Sequence, residues 1–112
     1  MRFHVLTIFP GMFNSPFAES IVGRAQQSGL VEITTHDIRD YAEGRHRAVD
    51  DYVFGGGPGM VMKPDPLFAA VEAVRSSAGL AQKAPVILLS PQGRTLTQAV
   101  VEELAQQSEM ML

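Results

Sequence analysis

The 112 residues contain no cysteine and no tryptophan. Without thiols there is no disulfide framework, no thiolate metal ligand and no sulfur nucleophile, a composition suited to a reducing cytoplasm. Cationic side chains are not in excess either: nine Lys and Arg against twelve Asp and Glu leave a net charge of −3. That balance excludes sequence-blind coating of nucleic acid by the whole surface and leaves room for a local basic patch. Long apolar runs are also missing. The N-terminal MRFHVLTIFPG holds one short run cut at Pro10, too short for the core of an export signal and far short of the ~20 residues of a membrane span. A cytoplasmic protein with no membrane partner is expected. No Ser-His-Asp grouping and no metal-spaced histidine set occurs, so hydrolase and zinc chemistry lack support and no metal is assigned.

What is present is a 46% hydrophobic chain, enough for one domain core. FHVLTIF at Phe3 to Phe9 is β-branched and aromatic and stops at Pro10-Gly11, a strand with its breaker. Ser15-Pro16 then opens a helix with Phe13, Phe17, Ile21 and Ala25 at four-residue spacing, closed by Gly29. Leu30 to His36 reads as a second strand, separated from the first by enough chain for a βαβ crossover. A second helix starts at Asp65-Pro66, with Leu67, Val71 and Val74 on one face. Val86 to Leu89 has the continuous apolar pattern of a central parallel strand buried on both faces. Thr95-Leu96-Thr97-Gln98 has capping-box spacing ahead of a third helix, and Met110-Met111-Leu112 matches the start of another buried strand. The fold class is α/β, a parallel sheet of βα units over residues 1–112. Because the pattern stops inside an element, an N-terminal fragment of a longer protein is expected.

Positions 37–62 sustain neither period, and loops of this length in compact domains are usually functional or disordered. Tyr41, Tyr52, Phe54, Met60 and Met62 supply apolar anchors, which favours an ordered loop. Its Gly55-Gly56-Gly57-Pro58-Gly59 run is either a surface turn or a backbone that a planar or phosphate-bearing ligand can approach. It is not a P-loop, since Met60-Val61 stands where Lys-Ser or Lys-Thr is needed. Asp50-Asp51 could ligate magnesium or serve as loop solvation; adjacent side chains diverge, which disfavours the metal. Arg39, Arg45, His46 and Arg47 form the basic cluster, suited to phosphates or to pairing with Asp40, Glu43 and Asp50. His4 and His36 read as structural. Ser90-Pro91-Gln92-Gly93 leaves the carboxyl end of an expected parallel strand, where open α/β sheets bind ligands, though a plain βα turn competes.

Phe9-Pro10-x-Met12-Phe13, Gly23-Arg24-Ala25, Ile38-Arg39-Asp40, Arg45-His46-Arg47-x-Val49-Asp50-Asp51, Gly55-Gly56-Gly57-Pro58-Gly59-Met60 and Ser90-Pro91-Gln92-Gly93 together resemble the bacterial tRNA (guanine-N(1)-)-methyltransferase family over essentially the whole chain. The resemblance implies a SPOUT-class trefoil-knot enzyme, homodimeric, that uses S-adenosylmethionine to methylate N1 of the guanosine 3′ of the tRNA anticodon. It places Leu89, Ser90, Pro91 and Gly93 in the first cofactor-cradling segment, and Asp50 with Gly55, Gly56, Gly57, Pro58 and Gly59 on the guanine side. Arg45, His46 and Arg47 are assigned to tRNA by charge and position. Two departures stand out: Val53-Phe54 where the family often has Pro-Tyr or Pro-Phe, and Leu88 where an aromatic residue is usual. A second cofactor loop, the general-base aspartate, the rest of the knot and a tRNA-binding C-terminal domain would follow Leu112, so the knot is expected to be incomplete and the chain alone inactive. A non-catalytic α/β nucleotide-binding module or a dimerisation module is the alternative.

Overall fold

The computed structural model describes residues 1–112. Along the chain run β1 (Arg2–Thr7), α1 (Ser20–Gln27), β2 (Glu32–Asp37), β3 (Asp50–Tyr52), β4 (Met60–Met62), α2 (Pro64–Ser77), α3 (Gln98–Leu104) and β5 (Glu109–Met111), with 3-10 turns at Pro10–Phe13, Pro16–Ala18 and Ile38–Tyr41. β1 is the middle strand of a parallel sheet ordered β2-β1-β5, with Arg2 opposite both Glu32 and Glu109. The βαβ opening and the strand at Met110-Met111 are therefore as expected. Met111 is only 1% exposed, because its strand lies between β1 and the extended chain at Val86.

Strand alternation sends Phe3 and Val5 to the face covered by α1 and His4 and Leu6 to the face covered by α2. On the α2 side Val74, Leu80, Ala84 and Met111 form the buried cluster, with Leu6, Tyr41 and Val71 packed against it. Each large side chain there contributes about 1.5–3 kcal/mol by leaving water. Both longer helices end in the same way. Leu30 N–H donates to Ala25 and Gly29 N–H to Gln26, and Leu80 and Gly79 do likewise to Arg75 and Ser76. In these Schellman closures Gly29 and Gly79 take φ of +71° and +61°. On the α1 side a cavity of about 370 Å³ is lined wholly by apolar residues, among them Phe17, Ile21, Val31 and Leu112.

Three local expectations need correction. The helix expected from Ser15 is broken: Pro16–Ala18 is a 3-10 turn, Glu19 is extended and Ser20 sits at φ +57°, so α1 begins only at Ser20. The third helix is capped by Thr97, whose hydroxyl accepts from Val100 N–H, and not by Thr95. Val86 to Leu89 is not a central strand buried on both faces. It meets β5 through one parallel bridge at Val86, a bond from Ile87 N–H to Met111 and one from Met111 N–H to Pro85. Ile87 is half-buried, whereas Val86 and Leu88 are exposed and Leu89 is 78% exposed, so a run composed for burial on two faces is only partly covered on one.

The molecule as a whole carries that feature. Only 13 of 112 residues are buried and the accessible surface is 8222 Å², against roughly 6,100 Å² for a compact 12.2 kDa chain. Large apolar side chains are exposed along the chain, from Met12, Ile21 and Leu30 to the hairpin residues Tyr52, Phe54 and Met60 to Met62 and to Leu88, Leu89 and Leu96.

His4 and His36 stack across β1 and β2 with ring centroids 5.3 Å apart, and His4 Nδ1 lies 3.0 Å from His36 Nε2. One of these nitrogens donates and the other accepts, so the pair excludes two charged rings. His4 Nε2 is buried without a partner. Burial, and secondarily His4, pushes the His36 imidazole below its ordinary value of 6.5. The unfolded chain then takes up the proton first, so stability is complete above pH 6.5 and is lost as pH falls from 6.5 towards the lower folded value. Glu109 loses its contribution in a separate, more acid window: the Ala81 N–H, then Arg2, holds it below 4.5. Urea midpoints measured between pH 8 and pH 5 should fall across the first window, and His36→Gln should remove most of that fall; an equal fall in the variant would contradict this assignment.

Candidate functional site

β1, β2 and the extended segment before Ser90 run in one direction, so their carboxyl ends share one edge of the sheet. Phe9-Pro10-Gly11, Ile38-Arg39-Asp40 and Ser90-Pro91-Gln92-Gly93 all emerge there, where open α/β sheets take ligands. The Ser90 turn is tight. Gly93 N–H donates to the Ser90 carbonyl at 3.0 Å and Gln92 N–H to the Ser90 hydroxyl at 3.2 Å. A Cβ on Gly93 would stand 3.2 Å from that carbonyl, so the turn favours a residue without a side chain. Leu89, Ser90, Pro91 and Gly93 are all exposed. Together they present exposed backbone at that edge.

The segment read as an ordered loop contains a hairpin. β3 and β4 pair antiparallel, with Asp50 opposite Met62 and Tyr52 opposite Met60. The base is fixed by buried Val49, whose carbonyl accepts from Lys63 N–H at 2.8 Å. At the tip Gly55, Gly56, Gly57 and Gly59 take φ of +83°, +77°, +128° and +101°. Four left-handed positions around Pro58 explain the composition, because any side chain would strain them. Of the expected anchors only Tyr41 packs against the core, while Tyr52, Met60 and Met62 are exposed and Phe54 is 100% exposed. The exposed four face solvent because the β3–β4 hairpin reaches away from the core.

The two carboxylates have different surroundings. Asp51 Oδ1 accepts from Tyr52 N–H and its Oδ2 lies 3.8 Å from Lys63 Nζ. Asp50 is exposed and its carboxylate makes no hydrogen bond or ion pair. Adjacent strand residues point to opposite faces, which leaves Asp50 alone available to an incoming group. No hydrogen bond joins the glycine tip to the Ser90 turn, or Asp50 to the cofactor-assigned residues.

The basic cluster is likewise divided. Arg47 pairs with Asp40 and its Nε donates to the Arg39 carbonyl at 2.9 Å. Arg45 and His46 are exposed and unpaired. Arg39 is held by Asp37 Oδ1, which accepts its N–H at 2.9 Å, while its guanidinium donates to the Ile8 carbonyl and lies 5.5 Å over the Phe9 ring. Grouping Arg39 with the other cations missed this organising position. The Asp37-x-Arg39 spacing of an Asx turn was the available signal.

The family model for tRNA (Guanine-1)-methyltransferase TrmD matches residues 1–112. A tRNA (guanine-N(1)-)-methyltransferase of Ruminiclostridium cellulolyticum is 50% identical over the whole chain, which covers 47% of that relative. One of Dehalococcoides mccartyi is 52% identical, with 44% of it covered. Among solved structures, the crystal structure of tRNA (m1G37) methyltransferase from Aquifex aeolicus matches with a TM-score of 0.81 at 36% identity, covering 99% of this chain and 49% of that one. The chain thus spans about half the length of the relatives it matches.

Proposed function

The chain belongs to the tRNA (guanine-1)-methyltransferase family, and on that premise we propose that it supplies part of an enzyme that transfers a methyl group from S-adenosylmethionine to N1 of the guanosine 3′ of the tRNA anticodon. The observation that carries this reading is the family match over the entire chain, with a tight glycine-closed turn at the ligand edge of its sheet. When bound, S-adenosylmethionine supplies the methyl group. The chain's own part is to receive and orient. Leu89, Ser90, Pro91 and Gly93 offer carbonyl and amide groups to a nucleoside-like ligand, a surface that fits because no side chain stands over Gly93. Gly55 to Gly59 let a flat base approach the backbone, and the free Asp50 carboxylate accepts a hydrogen bond from its N–H edge. Arg45 and His46 meet tRNA phosphates. The exposed hairpin and the Leu88-Leu89 face suit cover by a second copy in a cytoplasmic homodimer and by the remaining half of the enzyme.

Binding sites bury most of a ligand of this size, and here the Ser90 turn is a single wall that neither described cavity touches. Isothermal titration of the folded chain with S-adenosylmethionine should therefore show no binding at millimolar protein. A chimera joining the chain to the part of the Ruminiclostridium relative that the match leaves uncovered should bind in the micromolar range. A chimera that is folded and does not bind would defeat the cofactor assignment.

A further inference from the structure

Arg45 and His46 form the tip of a four-residue turn closed by Arg47 N–H donating to the Gly44 carbonyl at 3.2 Å. Both ends of that turn are left-handed, Gly44 at φ +81° and Arg47 at φ +47°. Glycine takes this conformation freely, whereas arginine does so only when its surroundings hold it there. The holding groups are visible. Arg47 Nε donates to the Arg39 carbonyl and its guanidinium pairs with Asp40. Arg39 in turn is tied to the exit of β2 through Asp37 and to the exit of β1 through the Ile8 carbonyl and the Phe9 ring. From this geometry we infer that Arg39 is a positioning residue for the RNA-facing turn: with Arg47 and Asp40 it clasps the turn to the ligand edge of the sheet, so that Arg45 and His46 alone project towards phosphates. The inference rests on the proposed role of Arg45 and His46 in tRNA binding. It also divides the basic cluster by function, with Arg39 and Arg47 engaged by partners within the chain and Arg45 and His46 left for RNA.

Arg39 suits this task because a planar guanidinium can donate to a carbonyl edge-on while its face lies over an aromatic ring, which a lysine ammonium cannot reproduce. Retaining the charge should therefore not rescue the position. Charge and clasp also make opposite forecasts for Asp40. Removing an exposed carboxylate beside an RNA site strengthens binding if only the local field matters, and weakens it if Asp40 is needed to hold Arg47.

The test uses the 112-residue chain and its Arg39→Lys, Arg39→Gln, Asp40→Asn and Arg45→Ala variants, each checked for folding by circular dichroism. Amide exchange is followed at Arg47 without RNA, and affinity for a tRNA anticodon stem-loop is followed across salt concentrations. Both Arg39 variants should speed exchange at Arg47 about tenfold and weaken RNA binding about tenfold with the slope of log affinity on log salt unchanged. Asp40→Asn should act in the same direction, less strongly, and serves where an Arg39 variant does not fold. Arg45→Ala should leave exchange at Arg47 unchanged and reduce the salt slope by about 0.7–0.9, the loss of one phosphate contact. A reduced slope in Arg39→Gln, full affinity in Arg39→Lys or tighter binding by Asp40→Asn would each overturn the clasp while leaving the RNA-binding reading intact. Absence of RNA binding by the parent chain would defeat that reading itself, and with it the role given to Arg39.

Discussion

Asp50→Ala, introduced into the chimera with the Ruminiclostridium relative, should lower methyl transfer to tRNA by up to about a hundredfold, the scale of losing one charged hydrogen bond of about 1.5–3 kcal/mol to the guanine. The unfolding midpoint should barely move. Asp50 lies exposed on a two-stranded hairpin without a partner for its carboxylate, and substitutions at such surface positions usually cost less than about 0.5 kcal/mol. Asp51 supplies the internal control. Its carboxylate is already engaged by Tyr52 N–H and Lys63, so Asp51→Asn should reduce transfer less than about tenfold. Incorporation of labelled methyl groups into tRNA measures both. Full activity in Asp50→Ala would remove the guanine-side role, and an equal loss in the two variants would show a general dependence on hairpin charge.

The largest expected effect on stability comes from a substitution that ordinarily helps a helix. Gly23 lies within α1, where replacing glycine by alanine usually stabilises by about 1 kcal/mol. Here a Cβ would stand 2.2 Å from the Ala18 carbonyl oxygen and 2.6 Å from its carbon. Both are backbone atoms of the 3-10 turn that folds back on the helix through the left-handed Ser20. No rotamer change relieves that clash. Gly23→Ala should destabilise by about 3 kcal/mol, the upper end of the usual cost of overpacking, and lower the midpoint by more than about 10 °C at the sensitivity typical of a domain of this size. Equilibrium urea and thermal unfolding read it directly, and an unchanged or raised midpoint would mean that the turn and helix are not packed as described.

How far the sequence was readable depended on whether the deciding information was local. Pro10 and Gly29 punctuate β1 and α1 because their backbone preferences act within a few residues, and Met110-Met111 joined the sheet as its composition required. The break at Glu19-Ser20 is hidden because four-residue apolar spacing passes straight through it, and a backbone approach such as that of Ala18 to Gly23 leaves no mark on that spacing. Val86 to Leu89 failed for a different reason. Its apolar composition reports the burial it is built for, and this chain provides β5 on one side and no second layer over it. At the site, the glycine tip and the Ser90 turn were legible as separate motifs, since backbone permissiveness is written in residue type. The unequal engagement of Asp50 and Asp51, and of Arg45 and Arg47, was not, because hydrogen-bond partners many residues away decide which charges are spent.

The most direct measurement is methyl transfer by the chimera to two tRNA transcripts differing only at the nucleotide 3′ of the anticodon, guanosine in one and adenosine in the other, with the methylated base identified by mass spectrometry. The expected result is N1-methylguanine in the first transcript and no label in the second. A folded chimera that leaves both unmodified, or places the methyl group on another base or atom, would contradict the account.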